Sequence, residues 1–198
     1  NLLNKLKEKG IPLIEDVCES HGATFRGKKL GTYGLISNFS FYYAHHMSTI
    51  EGGMVCTDNE EIYQIIRMLR SHGMVRESTS EDVKNKYKDN HGDLNPEFIF
   101  AFPGYNVRNT EIGAVLGRNQ LKRLDNNNEE RNINLSIFLE KLDDKLFRTD
   151  YYIDGASNYA FPLVLKKADF DFRDQLELHM KKNFIEFRRG NAGGGNQM

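Results

Sequence analysis

Apolar and polar positions alternate in short, strand-like runs over the first third of the chain and recur at helical spacing further on. An amphipathic helix runs through Lys9 and ends at Gly10. The segment Ile11-Pro12-Leu13-Ile14-Glu15-Asp16 then predicts a short buried strand with carboxylates at its C-terminal end. Residues 24–31 read as a small hairpin around Gly27, and residues 36–41 and 53–57 as further strands bounded by Ser-Asn and Glu-Gly-Gly. Asp58 is placed to cap a helix over residues 60–71, whose Ile62, Ile65, Ile66 and Leu69 form one face, with Gly73 at its end. Residues 75–95, dense in Glu, Lys, Asp and Asn, predict a long surface loop or lid.

Thr110 begins a long helix with Ile112, Val115, Leu116, Leu121 and Leu124 on its apolar face, and the pattern resumes at Ile133, Ile137 and Leu142. The intervening residues 125–131 are polar enough to predict a kink or an exposed passage. A strand over 158–165, a helix over 169–182 and a strand over 185–188 point to a small α+β second domain, with a boundary near residues 140–150.

Charge and composition narrow the function classes. Among 198 residues, 27 basic and 28 acidic side chains leave a net charge of −1, which excludes a basic nucleic-acid face. Apolar residues at 39% and charged residues at 28% suit a soluble globular chain, and no apolar run approaches the roughly 20 residues of a membrane span. The chain opens without Met or a signal-peptide pattern, in what reads as the middle of a helix, and stops in the glycine run 193–195. It is therefore expected to be an internal piece of a longer protein. Cys18 and Cys56 have no CxxC neighbour, so no disulfide framework and no zinc or iron–sulfur ligand set is expected; they read as two reduced thiols of a cytoplasmic protein.

Three segments carry candidate chemistry. Residues 38–53 place Ser40, His45, His46 and the pair Gly52-Gly53 in a turn between two strands, where backbone approaches a ligand closely. Adjacent histidines on extended backbone point apart, so no metal is expected there, and each imidazole reads either as hydrogen-bonded scaffold or as a catalyst. Asp16 ends a strand and reads either as a carboxylate with a cationic partner or as a cap for Glu19 or Ser20. Residues 104–114 form a polar turn into a helix N-terminus, which suits an anion or serves as a plain capped start.

Taken together, in this order, the segments resemble the DegT/DnrJ/EryC1/StrS sugar aminotransferase family, which uses pyridoxal phosphate on the fold type I scaffold. Ile14-Glu15-Asp16-Val17-Cys18-Glu19-Ser20-His21-Gly22-Ala23 is similar to its Glu-Asp-Ala-Ala-Gln-Ala-x-Gly-Ala stretch. Phe39-Ser40-Phe41 through Glu51-Gly52-Gly53 resembles its cofactor-lysine loop, and Gly104-Tyr105-Asn106-Val107-Arg108 its helix entry. The resemblance implies an α/β fold, with residues 1–145 as the C-terminal part of a large cofactor-binding domain (a mostly parallel sheet flanked by helices, plus the long connecting helix). Residues 146–198 would be part of a small α+β C-terminal domain. The piece by itself would retain cofactor weakly and be inactive.

The departure is His45, which stands where the family carries the lysine that bonds the cofactor. An imidazole forms no such bond but moves protons near neutral pH. With Phe187-Arg188-Arg189-Gly190 and the later Gly193-Gly194-Gly195-Asn196-Gln197, the resemblance narrows to the family's histidine-bearing dehydratases that remove the C3 hydroxyl of GDP-4-keto-6-deoxy-D-mannose. Two cysteines fall short of the cluster ligands of the iron–sulfur relative. The resemblance implies pyridoxal or pyridoxamine 5′-phosphate as cofactor, a GDP-sugar substrate and L-glutamate as co-substrate. By position, His45 would be the base, Asp16 would pair with the ring nitrogen, Glu19 would contact the ring hydroxyl and Ser40 would bind the phosphate. Asn106 would reach a phosphate in the other subunit of a homodimer, and Arg108, Arg188 and Arg189 would face the substrate's pyrophosphate.

Overall fold

The computed structural model describes residues 2–189; the expected glycine-run motif at 193–197 lies outside them. A first helix, α1 (Leu2–Glu8), ends at Gly10 in the left-handed region (φ 63°). A mixed sheet follows, with strands β1 (Ile14–Asp16), β4 (Ile36–Ser40) and β5 (Gly53–Cys56) in the order β1-β4-β5. β1 pairs parallel with β4, placing Asp16 opposite Asn38. β4 pairs antiparallel with β5, placing Ser40 opposite Gly53. The expected mostly parallel sheet is thus one parallel and one antiparallel pairing. β1 is shorter than expected because Pro12 has no N–H to give a ladder, and Ile14 is largely exposed instead of buried.

The expected hairpin forms as β2 (Thr24–Phe25) and β3 (Lys28–Lys29), joined by Arg26 and Gly27, both at positive φ as a two-residue type I′ turn demands. Glu15 organises the segment before β4: its carboxylate accepts the backbone N–H groups of Gly31, Tyr33 and Gly34, each at 2.7 Å.

Helix α2 (Glu60–Leu69) is capped by Asn59, whose side chain accepts from the Ile62 N–H; the expected cap, Asp58, lies one residue too early. The segment expected as a loop is structured. Residues 75–77 make a 3₁₀ turn, and α3 (Glu81–Asn90) starts at a Ser80 cap. Val83 and Tyr87, one helical turn apart, pack against the buried cluster Met68, Val75 and Ile99. That i, i+4 pair was the signal hidden in a charged stretch. Gly73 (φ 78°) brings this cluster's two halves together, since a Cβ there would sit 1.9 Å from the Phe102 carbonyl oxygen.

The long helix is two: α4 (Glu111–Leu121), capped by Thr110, and α5 (Leu124–Lys141). The break falls at residues 122–123, and the polar stretch 125–131 lies inside α5, exposed except at Asn128 and Arg131. Asn128 is buried because its amide serves the His21 carbonyl oxygen. On α4 two residues of the expected apolar face, Ile112 and Val115, point outward and are 75% and 67% exposed.

Two compact units make up the chain. The first comprises Asn1–Ile137 with Tyr152–Phe161; the second comprises Phe138–Tyr151 with Pro162–Met198. The first unit holds the sheet, and segment 152–161 returns to it. In place of the expected strand over 158–165, residues 156–159 bond to α5 side chains, and the described ladder contact is a bridge between Phe147 and Leu165. In the second unit, α6 (Phe170–Lys182) is capped by Asp169, and Ile185 folds back on the Met180 carbonyl instead of starting a strand.

Candidate active site

Because β1 and β4 run parallel, their C-terminal ends share one edge of the sheet, the edge at which ligands bind in open parallel sheets. Asp16 and Ser40 stand there. The expected burial of Asp16 does not hold, since its side chain is exposed; nor does it cap Glu19 or Ser20. Its Oδ1 instead accepts from the Cys18 N–H at 3.1 Å and from Asn38 Nδ2 at 3.0 Å, and that same amide lies 3.1 Å from Cys18 Sγ. Hydrogen bonds from Cys18 first, then Asn38, hold the Asp16 carboxyl below its ordinary range, and charge on nearby His45 acts in the same direction. Burial, and next to it Asp16, push the Cys18 thiol up to about 11, so it is no nucleophile at neutral pH. Read from sequence as a bystander, Cys18 belongs to the Asp16 network.

Residues 41–52 form the loop between β4 and β5. Phe41 N–H donates to the Gly52 carbonyl and Thr49 N–H to the Phe41 carbonyl, closing the loop at its base. Ser40 Oγ accepts from the Tyr42 N–H at 3.3 Å. His45 Nε2 lies 3.8 Å from Glu19 Oε1, so the loop, the end of β1 and the turn after it converge on one imidazole. Its ring stands between two tyrosines, Tyr42 at 5.4 Å and Tyr159 at 5.5 Å, both edge to face, and its Nδ1 is buried with no hydrogen-bond partner.

The two other histidines of the cluster are scaffold. His46 faces the Asn158 carbonyl through Nε2 at 3.2 Å. His21, 4% exposed, packs among Phe39, Phe41 and His46, and neither of its ring nitrogens has a partner. Burial, then the charge of His46 and His45, lowers the His21 pKa to about 4, so its ring is neutral. Burial likewise lowers that of His46. Among the described residues, no group of three or more His, Cys, Asp or Glu could hold a metal ion.

The helix entry lies beside this loop. Asn109 Nδ2 donates to the Gly53 carbonyl at 2.9 Å, and Gly113 and Gly117 of α4 face Thr49. Asn106 pairs with Ser71 across an antiparallel bridge, and its Oδ1 accepts from Arg108 Nε at 3.0 Å; both side chains are exposed. Arg189 belongs to the second unit, where Nε and Nη2 grip the Glu177 carboxylate at 2.7 and 2.8 Å. Arg188 is exposed in the same unit. The first unit therefore sets Asp16 and Ser40 at the ends of neighbouring strands and Glu19 beside His45, while Asn109 and α4, not Asn106 or Arg108, meet the histidine loop. The sequence assigned no role to Tyr159, Asn38 or His21. A partial signal lay in Asn128, Arg131 and Asn132, whose i, i+3, i+4 spacing puts three polar groups on one face of α5.

A family model described as the DegT/DnrJ/EryC1/StrS aminotransferase family matches residues 2–189. The chain belongs to that family. Among curated members, GDP-4-keto-6-deoxy-D-mannose 3-dehydratase of Escherichia coli O55:H7 is 39% identical over 90% of this chain and 46% of its own length. The Yersinia pseudotuberculosis enzyme of the same name is 38% identical over 94% of this chain and 48% of its own length. A solved structure, the E. coli 3-dehydratase with bound hydrated PLP, superposes with a TM-score of 0.76 at 34% identity, covering 94% of this chain and 48% of that one. The chain thus spans about half the length of the relatives it matches, and the DegT-family fold is common to all three.

Asp16, whose Oδ1 is already bonded twice, fits the family cofactor: as a carboxylate held in its ionised form at the sheet edge, beside His45, it suits the protonated nitrogen of a pyridinium ring.

Proposed function

We propose that this chain is the core of a pyridoxal/pyridoxamine phosphate-dependent dehydratase that removes the C3 hydroxyl of GDP-4-keto-6-deoxy-D-mannose, with L-glutamate regenerating the amine form of the cofactor. The observation that carries the reading is the place of His45: an imidazole, not a lysine, meets Glu19 and the field of Asp16 where the family's covalent lysine is expected. No lysine lies between Lys29 and Lys84 to take over that bond, which disfavours an ordinary sugar aminotransferase. The relatives named above carry this activity in their names, and solved structures of such dehydratases hold GDP-perosamine and a PLP–glutamate geminal diamine.

When bound, pyridoxamine phosphate supplies the amine that engages the C4 ketone and a ring that accepts electrons. Asp16 holds the ring nitrogen protonated, Glu19 meets the ring hydroxyl, and Ser40 receives the phosphate. His45, free of any covalent tie, would be the group that takes a proton at the cofactor's C4′ carbon, the cofactor supplying the chemistry that lets the C3 hydroxyl leave. Arg108 serves the diphosphate of the substrate.

The active protein is a cytoplasmic homodimer in which Asn106 reaches the neighbouring subunit's cofactor phosphate. Support comes from the exposed apolar side chains around Asn106, namely Tyr105, Val107, Ile112 and Val115. Among the described residues no helix is long and apolar enough to cross a membrane.

The test is turnover of GDP-4-keto-6-deoxymannose with cofactor and L-glutamate by the protein expressed from its complete reading frame. The expected product is the 3-deoxy ketosugar, lost in His45→Asn; His45→Lys is expected to gain the absorbance of a lysine-bound cofactor. Normal deoxygenation by His45→Asn overturns the assigned base, and release of an aminated sugar by the native protein overturns the dehydratase reading.

A further inference from the structure

What aims the ring of His45 is not evident from its own loop. The His45 N–H bonds the Tyr42 carbonyl, but on the ring Nδ1 is buried without a partner and the Glu19 carboxylate stands 3.8 Å from Nε2, beyond a hydrogen bond. Direction must therefore come from packing. Tyr42 supplies one wall from the loop itself. The other is Tyr159, whose ring meets His45 at 79° and also lies 5.9 Å from the ring of His46.

Among the described residues the segment of Tyr159 has no strand partner, and side chains hold its backbone. Asn132 of α5 reads residues 156–158 as a neighbouring strand would. Its Nδ2 donates to the Ala156 carbonyl at 2.6 Å, and its Oδ1 accepts from the Asn158 N–H at 3.0 Å. Arg131 Nη1 reaches the carbonyls of Asn158 and Tyr159, each at 3.5 Å. Ser157 Oγ donates to the His21 carbonyl, which Asn128 also serves. Each contact joins α5 or the turn after β1 to the segment that faces His45.

We infer that Tyr159 is a positioning residue for His45, and that the polar face of α5, through Asn132 and Arg131, holds Tyr159 against it. The inference rests on the reading of His45 as the base. A ring held in place by packing loses its aim when one wall is removed, and misplacement of a base acts on the chemical step more than on binding.

The experiment uses the protein from its complete reading frame, with histidine labelled at carbon Cε1 and no cofactor added. The His45 resonance is identified by its absence in His45→Asn. Tyr159→Ala and Asn132→Ala are expected to move that resonance, and Tyr159→Phe, which keeps the aromatic face, to leave it in place. The signals of His72, His91 and His179 report that each variant is folded. Where the alanine variant loses them, Tyr159→Leu replaces it. With cofactor and substrate, Tyr159→Ala is expected to lose about tenfold or more in kcat with KM within about twofold, and Tyr159→Phe to approach the parent.

An unmoved His45 resonance in Tyr159→Ala overturns the inference, as does a parental kcat in that variant while His45→Asn is dead. A Tyr159→Phe variant as impaired as Tyr159→Ala also overturns it, because the hydroxyl and not the ring would then be acting. Normal turnover by His45→Asn is a different failure: it removes the reading of His45 as base, whatever Tyr159 does to its resonance.

Discussion

His21 and His46 pack ring against ring with centroids 5.9 Å apart, each nearly closed to water and each driven by burial toward its neutral form. The charge of His45 acts on both rings, and both resist protonation. Neither ring nitrogen of His21 finds a partner, which means the packing of Phe39 and Phe41, and not hydrogen bonding, retains it there.

The buried pair makes stability sensitive to acid. The His21 pKa is lowered from 6.5 to about 4 in the fold. Above pH 6.5 both folded and unfolded chains carry it neutral and it contributes no pH dependence. As the pH falls from 6.5 toward 4 the unfolded chain binds a proton that the fold does not, and stability declines by about 2 kcal/mol between pH 7 and 5, with His46 adding in the same direction. Urea midpoints measured across that range should show the decline, and His21→Phe should flatten it while being no less stable at pH 7. An equally steep acid limb in His21→Phe would place the sensitivity elsewhere.

Glu15 is one residue from Asp16 yet has a separate task. Its carboxylate gathers three backbone N–H groups ahead of β4, so Glu15→Gln, which turns one acceptor oxygen into a donor, leaves at least one N–H unmet. A loss of about 2 kcal/mol is expected from broken charge-assisted bonds. Hydrogen exchange of the Gly31, Tyr33 and Gly34 amides is the sharper readout, and unchanged protection in the variant would contradict the assignment.

Strain is stored in the histidine loop at Ile50, a β-branched residue at φ 74° whose side chain is 67% exposed. Left-handed backbone costs a β-branched residue about 1–2 kcal/mol, and little packing at Ile50 offsets it. Ile50→Gly is therefore expected to raise the denaturation midpoint. Ile50→Val, which keeps the strain, should not. If both variants lose stability, the Ile50 side chain is buried in the assembled protein and its packing outweighs the strain.

Much of the local structure was legible in the sequence because it depends on neighbours along the chain. The Arg26-Gly27 turn, the end of α1 at Gly10 and the Thr110 cap each follow from a few adjacent residues. The motif order also set Asp16, Glu19, Ser40 and His45 side by side as expected site residues; in the structure Asp16 and Ser40 end neighbouring strands and Glu19 lies 3.8 Å from His45. Where the reading failed, the competing partner was remote. The charged stretch containing α3 hid Val83 and Tyr87 until a core existed for them to face, and the polar run in α5 read as solvent-facing until the His21 carbonyl and residues 156–159 arrived to be bonded.

The sequence by itself determined the residue types at the site: an imidazole in a loop between two strands, a carboxylate at a strand end, a hydroxyl immediately before a loop of aromatics. Covalent order alone settles those, and with them what chemistry is open to the chain. Only the tertiary structure decided which atoms meet, namely that Asp16 keeps its charge through Cys18 and Asn38, and that His45 stands between Tyr42 and Tyr159. The physical reason is that hydrogen bonds and ring contacts act over a few ångströms, and the path of the chain alone brings residues so far apart in sequence within that reach.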